Sequence, residues 1–498
     1  MPALEQDTVT AQREAFRLRL AELLAVGGQT GQREDECPAA TELCSDAPAP
    51  RDPLAESVEL LAELCGRPAT APAPAAPSTP GEFLPIEPDS LAATGLTEPQ
   101  VEGLILKFLA SRTAATGRET AEQVRLPFRI VRDLLRRMKD ELLVVHKGAA
   151  TMADYVYELT DLGIERAQRH MKQSNYFGAA PVVLADYAAS VAAQSIRQRH
   201  PSLADLRRAF ADLQLSAELV AQLGQAVWSG LGLFLFGPPG NGKTSIAERV
   251  TKAFGETIWI PHAVSVFGEI IRLYDPISHD AVPDEPAALT NGRHLDRRWI
   301  RIRRPTIVVG GELRMENLEI MVNKATGVNE APLQMKANGG TLVIDDFGRQ
   351  RISPAELLNR WIVPLEKRYD FLNMPSGRKI SVPFDELVVF STNLEPRDLV
   401  DEAFLRRIPY KIDVRDPTED EFCSLFRSAA AAAGIEYHPE PVERLIQDHY
   451  KLAGRPMRFC HPRDLLHQVR VFCAFHGRPA AITFESLRAA VKNYFAMM

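Results

Sequence analysis

Residues 237–244 read Gly-Pro-Pro-Gly-Asn-Gly-Lys-Thr, and Ser245 follows. Small residues at this spacing let backbone N–H groups curl around a phosphate, and a helix that starts at once points its positive end at the same anion. Within the stretch, Gly237, Pro238, Pro239, Gly240, Asn241 and Gly242 form the cradle. Lys243 reaches the β/γ-phosphates, and the Thr244 hydroxyl suits a hard divalent cation. Asp345 and Asp346 close an apolar run, Thr341–Ile344. One carboxylate there can serve the cation's shell and the other can polarise an attacking water. Asn393 ends another apolar run, where an amide can orient that water. Arg406 and Arg407 follow a short helical stretch, and a guanidinium there can neutralise charge on a departing γ-phosphate. Arg463 lies in His461–Leu466, which opens a helix near the C-terminus.

These residues need rigid elements to hold them. Leu231–Phe236 reads as a short buried strand ahead of the loop, and Ser245–Val250 has helical spacing after it. Thr341–Ile344 and Leu387–Ser391 read as two more buried strands that deliver polar groups to one edge of an open α/β sheet. Between Leu365 and Leu387, two alternating segments flank Pro375-Ser376-Gly377 and predict a β-hairpin. Lys243 and Asp345 are 102 positions apart. That gap is read as an insertion over 262–337 with a β-hairpin and a short helix, including basic Trp299–Arg304 and then Val308–Leu313.

The 498 residues are enough for two or three domains. A 45% apolar and 25% charged composition is that of an ordinary globular chain. The net charge of −7 is uneven, because residues 1–90 hold 6 Lys/Arg against 16 Asp/Glu. Bulk charge therefore gives no argument for nucleic acid. The six cysteines form no CxxC pair and no zinc spacing, so reduced thiols and a cytoplasmic location are expected. No secretory signal is read at the N-terminus, and no apolar run approaches the roughly 20 residues of a membrane span.

Five segments are expected. Residues 1–90 form a largely disordered acidic arm with two short amphipathic helices and a Pro/Ala-rich linker. Residues 91–175 predict helices at Glu98–Ser111, Arg118–Val124 and Pro127–Glu141, strands at Leu142–His146 and Tyr155–Thr160, and a closing helix to about Lys172. Residues 176–230 are a helical linker, in which Asp212–Leu215 resembles, by its place ahead of the phosphate loop, the adenine-contacting segment of ring-forming ATPases. Residues 231–414 are an α/β core, and 415–498 a helical lid.

The order of these features resembles the AAA+ ATPases over roughly residues 210–498. The resemblance implies an α/β P-loop parallel sheet with a C-terminal helical lid, ATP and Mg²⁺ as ligands, and a cytoplasmic homo-oligomer, usually a six-membered ring. It assigns Walker A to Gly237–Thr244, Walker B to Asp345 and Asp346, sensor 1 to Asn393, the arginine finger to Arg406 (or Arg407) and sensor 2 to Arg463. The hairpin before Asn393 is similar to that of the pre-sensor-1 branch, which includes MoxR proteins and enhancer-binding activators. The Asp-Asp ending departs from the commoner Asp-Glu, which leaves a slow-hydrolysing switch as one reading. Residues 91–175 resemble a winged helix. Its third helix carries Arg129, Arg132, Arg136, Arg137 and Lys139, and either a protein client or DNA is its expected partner.

Overall fold

The computed structural model describes residues 83–283, 294–399 and 402–495. The two helices expected in the arm, and most of the arm itself, lie outside them.

Four α-helices and a three-stranded sheet come first. Helix α1 (Glu98–Arg112) starts at a Thr97/Gln100 capping box with Pro99 in its first turn. Strand β1 (Ala114–Thr116) leads into α2 (Gly117–Val124), which is capped by Thr116 and Glu119. Helix α3 (Phe128–Asp140) buries Ile130, Val131, Leu134, Leu135 and Met138 on one face. Strands β2 (Val144–Ala150) and β3 (Asp154–Leu159) form the wing, and α4 (Asp161–Gln173) closes the unit on a Thr160 cap. The sheet order is β1-β3-β2. Sequence periodicity did not mark β1, a three-residue strand, and the wing turn is tighter than expected because β2 runs on to Ala150. Asp154, buried at the wing turn, accepts from Gly117 N (3.2 Å) and Arg118 N (2.9 Å) and so fixes the wing to the start of α2.

Beyond this unit, β4 (Val182–Val183) enters α5 (Leu184–Ala193), followed by α6 (Leu203–Ala209) and α7 (Ala217–Ser229). The strand β4 was not expected within this helical segment. Strand β5 (Leu233–Phe236) precedes α8 (Lys243–Val250).

The long gap folds as more than a hairpin. Strand β6 (Thr257–Pro261) pairs antiparallel with β9 (Trp299–Arg303). Strands β7 (Ala263–Val266) and β8 (Glu269–Arg272) form a hairpin. Strand β10 (Thr306–Val309) joins the central sheet, whereas Val308 and Val309 were read as part of the insertion. A four-residue β-branched run between Pro305 and Gly310 carries no periodicity that separates it from its surroundings. Strands β11 (Met321–Asn323) and β12 (Val328–Glu330) complete a second sheet of order β11-β12-β8-β7-β4, and α9 (Leu333–Ala337) follows.

Strand β13 (Thr341–Ile344), helix α10 (Pro354–Lys367), hairpin β14 (Tyr369–Asn373)–β15 (Lys379–Pro383), β16 (Leu387–Ser391), short helices α11 (Pro396–Leu399) and α12 (Glu402–Leu405), and β17 (Tyr410–Asp413) finish the core. The central sheet is parallel in the order β10-β13-β16-β5-β17. Every residue of β13 and β16 is buried, as strands covered on both faces require. The lid comprises α13 (Glu419–Ala433), α14 (Pro439–Leu445), α15 (His461–Phe475) and α16 (Phe484–Tyr494), packed on Phe422, Phe426, Leu465 and Leu487. The whole is an α/β fold built on a parallel five-stranded sheet, preceded in the chain by the helix-and-hairpin unit and followed by a helical lid.

The first unit is fastened to the second sheet. Strand β4 pairs parallel with β7, and Gln100 Nε2 donates to Ser265 Oγ at 3.0 Å. Arg298, buried with Asp296 at 2.7 Å, also turns towards the carbonyls of Thr94 and Pro181. A buried ion pair with its spare donors satisfied fixes an arrangement more than it stabilises it.

Candidate functional site

The loop between β5 and α8 takes three positive backbone angles, with φ 128° at Gly237, 84° at Gly240 and 80° at Gly242. Space also demands glycine at two of them. A Cβ on Gly237 would lie 2.8 Å from Val414 O, and one on Gly240 would lie 2.6 Å from Cys460 Sγ. Pro238 and Pro239 stiffen the bend between them. Lys243, Thr244 and Ser245 form the first turn of α8, so their N–H groups have no acceptor within the helix.

The polar side chains converge on this loop. Lys243 Nζ donates to Gly237 O (3.0 Å), Pro238 O (2.9 Å) and Asn393 Oδ1 (2.7 Å). Thr244 Oγ1 donates to Asp345 Oδ2 at 2.8 Å. Asn393 Nδ2 donates to Asp346 Oδ1 at 3.3 Å. The ends of three strands thus meet within hydrogen-bonding reach, because β5, β16 and β13 are neighbours in one parallel sheet and release their C-terminal ends on the same edge. Burial holds the Lys243 ammonium below its usual range. The Asp345 and Asp346 carboxylates oppose that shift, and the Arg458 guanidinium adds to it.

The turn after Asp345 is strongly determined. Asp346 adopts φ 48°, unusual for a non-glycine residue. Phe347 N donates to Ser391 O at 2.7 Å, and Thr392 Oγ1 donates to Phe347 O at 2.9 Å. Gln350 Nε2 donates to Asp345 O at 2.7 Å, while Gly348 N donates back to Gln350 Oε1 at 2.8 Å. Gln350 was not singled out from the sequence, since an isolated amide five positions past a carboxylate carries no signal.

The arginines are placed differently. Arg406 follows α12, with its side chain 78% exposed and 3.6 Å from Glu402. Arg407 turns inward to Glu366 at 2.5 Å. Arg463, in the first turn of α15, is 82% exposed and meets Asp464 at 3.4 Å. Among the described residues, Arg406 pairs with Glu402 and Arg463 with Asp464, and neither pair involves the loop. A different lid arginine, Arg458, reaches it, and pairs with Asp416. Asp416 also accepts from Asn241 Nδ2 at 2.7 Å. Beside Asn241 a cavity of about 270 Å³ is lined by Leu215, Leu219, Val414 and Phe459 among others. Of the stretch Asp212–Leu215 only Leu215 reaches it, and Asp212 pairs instead with Arg249 at 2.7 Å.

Residues 418–493, the lid, match a family described as a domain of unknown function, DUF8689. No curated protein matches the chain. Among solved structures, the chain is similar to NtrX from Brucella abortus in complex with ADP, at 16% identity and a TM-score of 0.36, covering 66% of each chain. It is also similar to the Thermotoga maritima RuvB Holliday junction branch migration motor, at 17% identity and a TM-score of 0.34, covering 58% of this chain and 72% of that one. The chain therefore spans 66% of the NtrX chain's length. Strand order and loop geometry carry the fold without these likenesses.

Proposed function

We propose that this chain is an ATP hydrolase. The observation that carries this reading is the convergence of Lys243, Thr244–Asp345 and Asn393–Asp346 at the mouth of one glycine loop. The loop's N–H groups and Lys243 would bind the phosphates. A hydroxyl and a carboxylate 2.8 Å apart are a hard, oxygen-only donor set, which fits Mg²⁺ bound jointly with substrate phosphates. Bound there, Mg²⁺ would neutralise phosphate charge. Asp346 would take the proton of the attacking water, with Asn393 orienting it. The cavity beside Asn241 mixes Leu215, Leu219, Val414 and Phe459, which could pack on a nucleobase, with polar and charged residues such as Gln222 and Glu218.

Arg406 is too exposed to serve its own loop, which supports a role in a neighbour's site within a homo-oligomeric ring. In this reading hydrolysis moves the β14–β15 hairpin, as in the pre-sensor-1 branch, against a protein client. The winged-helix-like unit recruits that client. Protein is favoured over DNA because α3 spends cations internally. Arg129 is held by Pro88 O and Asp89, and Arg137 by Glu98.

Turnover by the full chain tests the reading. Lys243→Ala should lose ATP binding by roughly 100-fold, as expected for a charge-assisted contact of about 3 kcal/mol. Asp346→Asn should keep ATP and lose hydrolysis by about 10²–10⁴-fold. Binding without turnover in the parent would favour the slow switch, and unchanged binding in Lys243→Ala would refute the site.

A further inference from the structure

A cavity of about 900 Å³ opens between the first unit and the second sheet, and none of its lining residues belongs to the phosphate loop. Its walls are the ends of α1 and α2, the connector 175–179 and strands β8, β11 and β12. The volume lies within the roughly 300–1,000 Å³ of small-molecule sites, which favour joints between folded units. Tyr274 and Phe177 supply flat apolar wall. Tyr274 meets the His262 ring edge-on at 5.3 Å, and Phe177 is 37% exposed.

The lining charges are even in number and uneven in pairing. Three arginines and three glutamates face the cavity. Arg272 and Glu330 pair with each other at 2.6 Å. Glu122 lies 3.6 Å from Arg297, which is not part of the lining. Glu119 accepts from Thr116 N (2.7 Å) and Thr116 Oγ1 (2.9 Å) as part of the α2 cap. Arg112 and Arg125 are left over, and among the described residues neither makes an ion pair. Both stand at helix C-terminal ends, whose partial negative charge holds a guanidinium without cancelling it. Arg125 also sits at φ 56°, where a helix end more easily takes glycine. Its charge acts on both Tyr176 and His262. Burial, and then Arg125, depress the His262 pKa to about 4, so the ring is neutral and the spare positive charge belongs to the arginines alone.

We propose that this cavity is a second ligand site, separate from the phosphate loop, for a small organic anion: a flat apolar body lying against Tyr274 and Phe177, and a phosphate or carboxylate held by Arg112 and Arg125. A guanidinium is suited to two-point contact with either acid. Because the walls come from both the first unit and the second sheet, a bound anion fastens the joint between them and raises the melting temperature of the chain. The proposal does not depend on the nucleotide reading above.

Titration of the full chain with the fluorescent aromatic anion anilinonaphthalene sulfonate tests it, for the parent, Arg112→Gln, Arg125→Asn and Lys243→Ala. Asparagine tolerates the left-handed backbone at position 125. The parent should show saturable binding that phenyl phosphate or phenylacetate displaces and neutral benzyl alcohol does not. Whichever acid displaces at the lower concentration identifies the anion. Arg112→Gln and Arg125→Asn should each bind at least about tenfold more weakly, as expected for loss of a charge-assisted contact. Lys243→Ala should bind as the parent does. A variant that lost its packing would take up more dye rather than less, so misfolding cannot imitate the expected loss. Should Arg125→Asn behave that way, Arg112→Gln decides alone, because Arg112 is exposed: weaker binding supports the site and unchanged binding overturns it. The proposal also falls if the parent shows no saturable binding, or if benzyl alcohol displaces the dye as well as the acids do. It falls equally if binding is lost in Lys243→Ala and kept in both arginine variants, which would put the dye in the phosphate loop.

Discussion

Asp346, the proposed base, sits at a left-handed backbone position that Phe347, Gln350 and Thr392 hold in place. Such strain persists only where the surroundings over-determine it. Its side chain is one methylene shorter than the Glu common in this resemblance, and the Asn393 amide at 3.3 Å is its nearest polar help. Asn393→Ala should therefore lower turnover by about 10²-fold, the usual cost of removing one oriented donor. ATP affinity should hold or improve, since Lys243 Nζ also loses an internal acceptor. A parallel fall in kcat and affinity would show instead that Asn393 only supports the loop. The contiguous loop was legible from sequence because its chemistry is local: eight neighbouring residues dictate the bend. Asp416 and Arg458 were not, because they lie more than 170 positions beyond the loop and only the folded lid brings them to Asn241.

At the scale of elements, β13 is the strand on which both carboxylates depend, and its approach is sterically tight. A Cβ on Gly340 would lie 2.1 Å from Pro305 O, a backbone atom at the start of β10. Gly340→Ala must push β10 from β13 and should cost at least about 2 kcal/mol, read as a lowered melting temperature. A variant as stable as the parent would mean that the β10–β13 edge is softer than this packing implies. The lid has its own weakness. His461 is buried, with Nδ1 2.9 Å from the Tyr450 hydroxyl. Burial, and then the Arg458 guanidinium, depress its pKa to about 4. The unfolded chain takes up this proton near the ordinary histidine value of about 6.5. Stability from the neutral ring is therefore complete above that value and is lost as pH falls towards 4. Melting at pH 7 and pH 5 should show a shallower fall for His461→Gln than for the parent, and equal slopes would remove His461 from the account. Sequence periodicity marked α1 to α4 but not α10, although Ser353 and Glu356 cap it. It missed β1, β4 and β10, whose two to four residues are too short to show a period, and their partners lie far along the chain.

Across the whole molecule, the winged-helix-like unit and the insertion are built together. Strand β4 completes the sheet that β7, β8, β11 and β12 begin, and the Asp296–Arg298 pair spans the joint. Residues 182–183, within the segment expected as a connector, are themselves a strand of that second sheet. Among the described residues no helix is long and apolar enough to cross a membrane. In the proposed ring, the ATP site works only when a neighbouring subunit adds Arg406. The most direct test is ATP turnover per subunit across a range of protein concentrations, with sizing alongside, for the parent and Arg406→Ala. Turnover should rise with assembly, and the variant should keep ATP while losing about 10³-fold in hydrolysis. Concentration-independent turnover, with Arg406→Ala as active as the parent, would contradict the shared site.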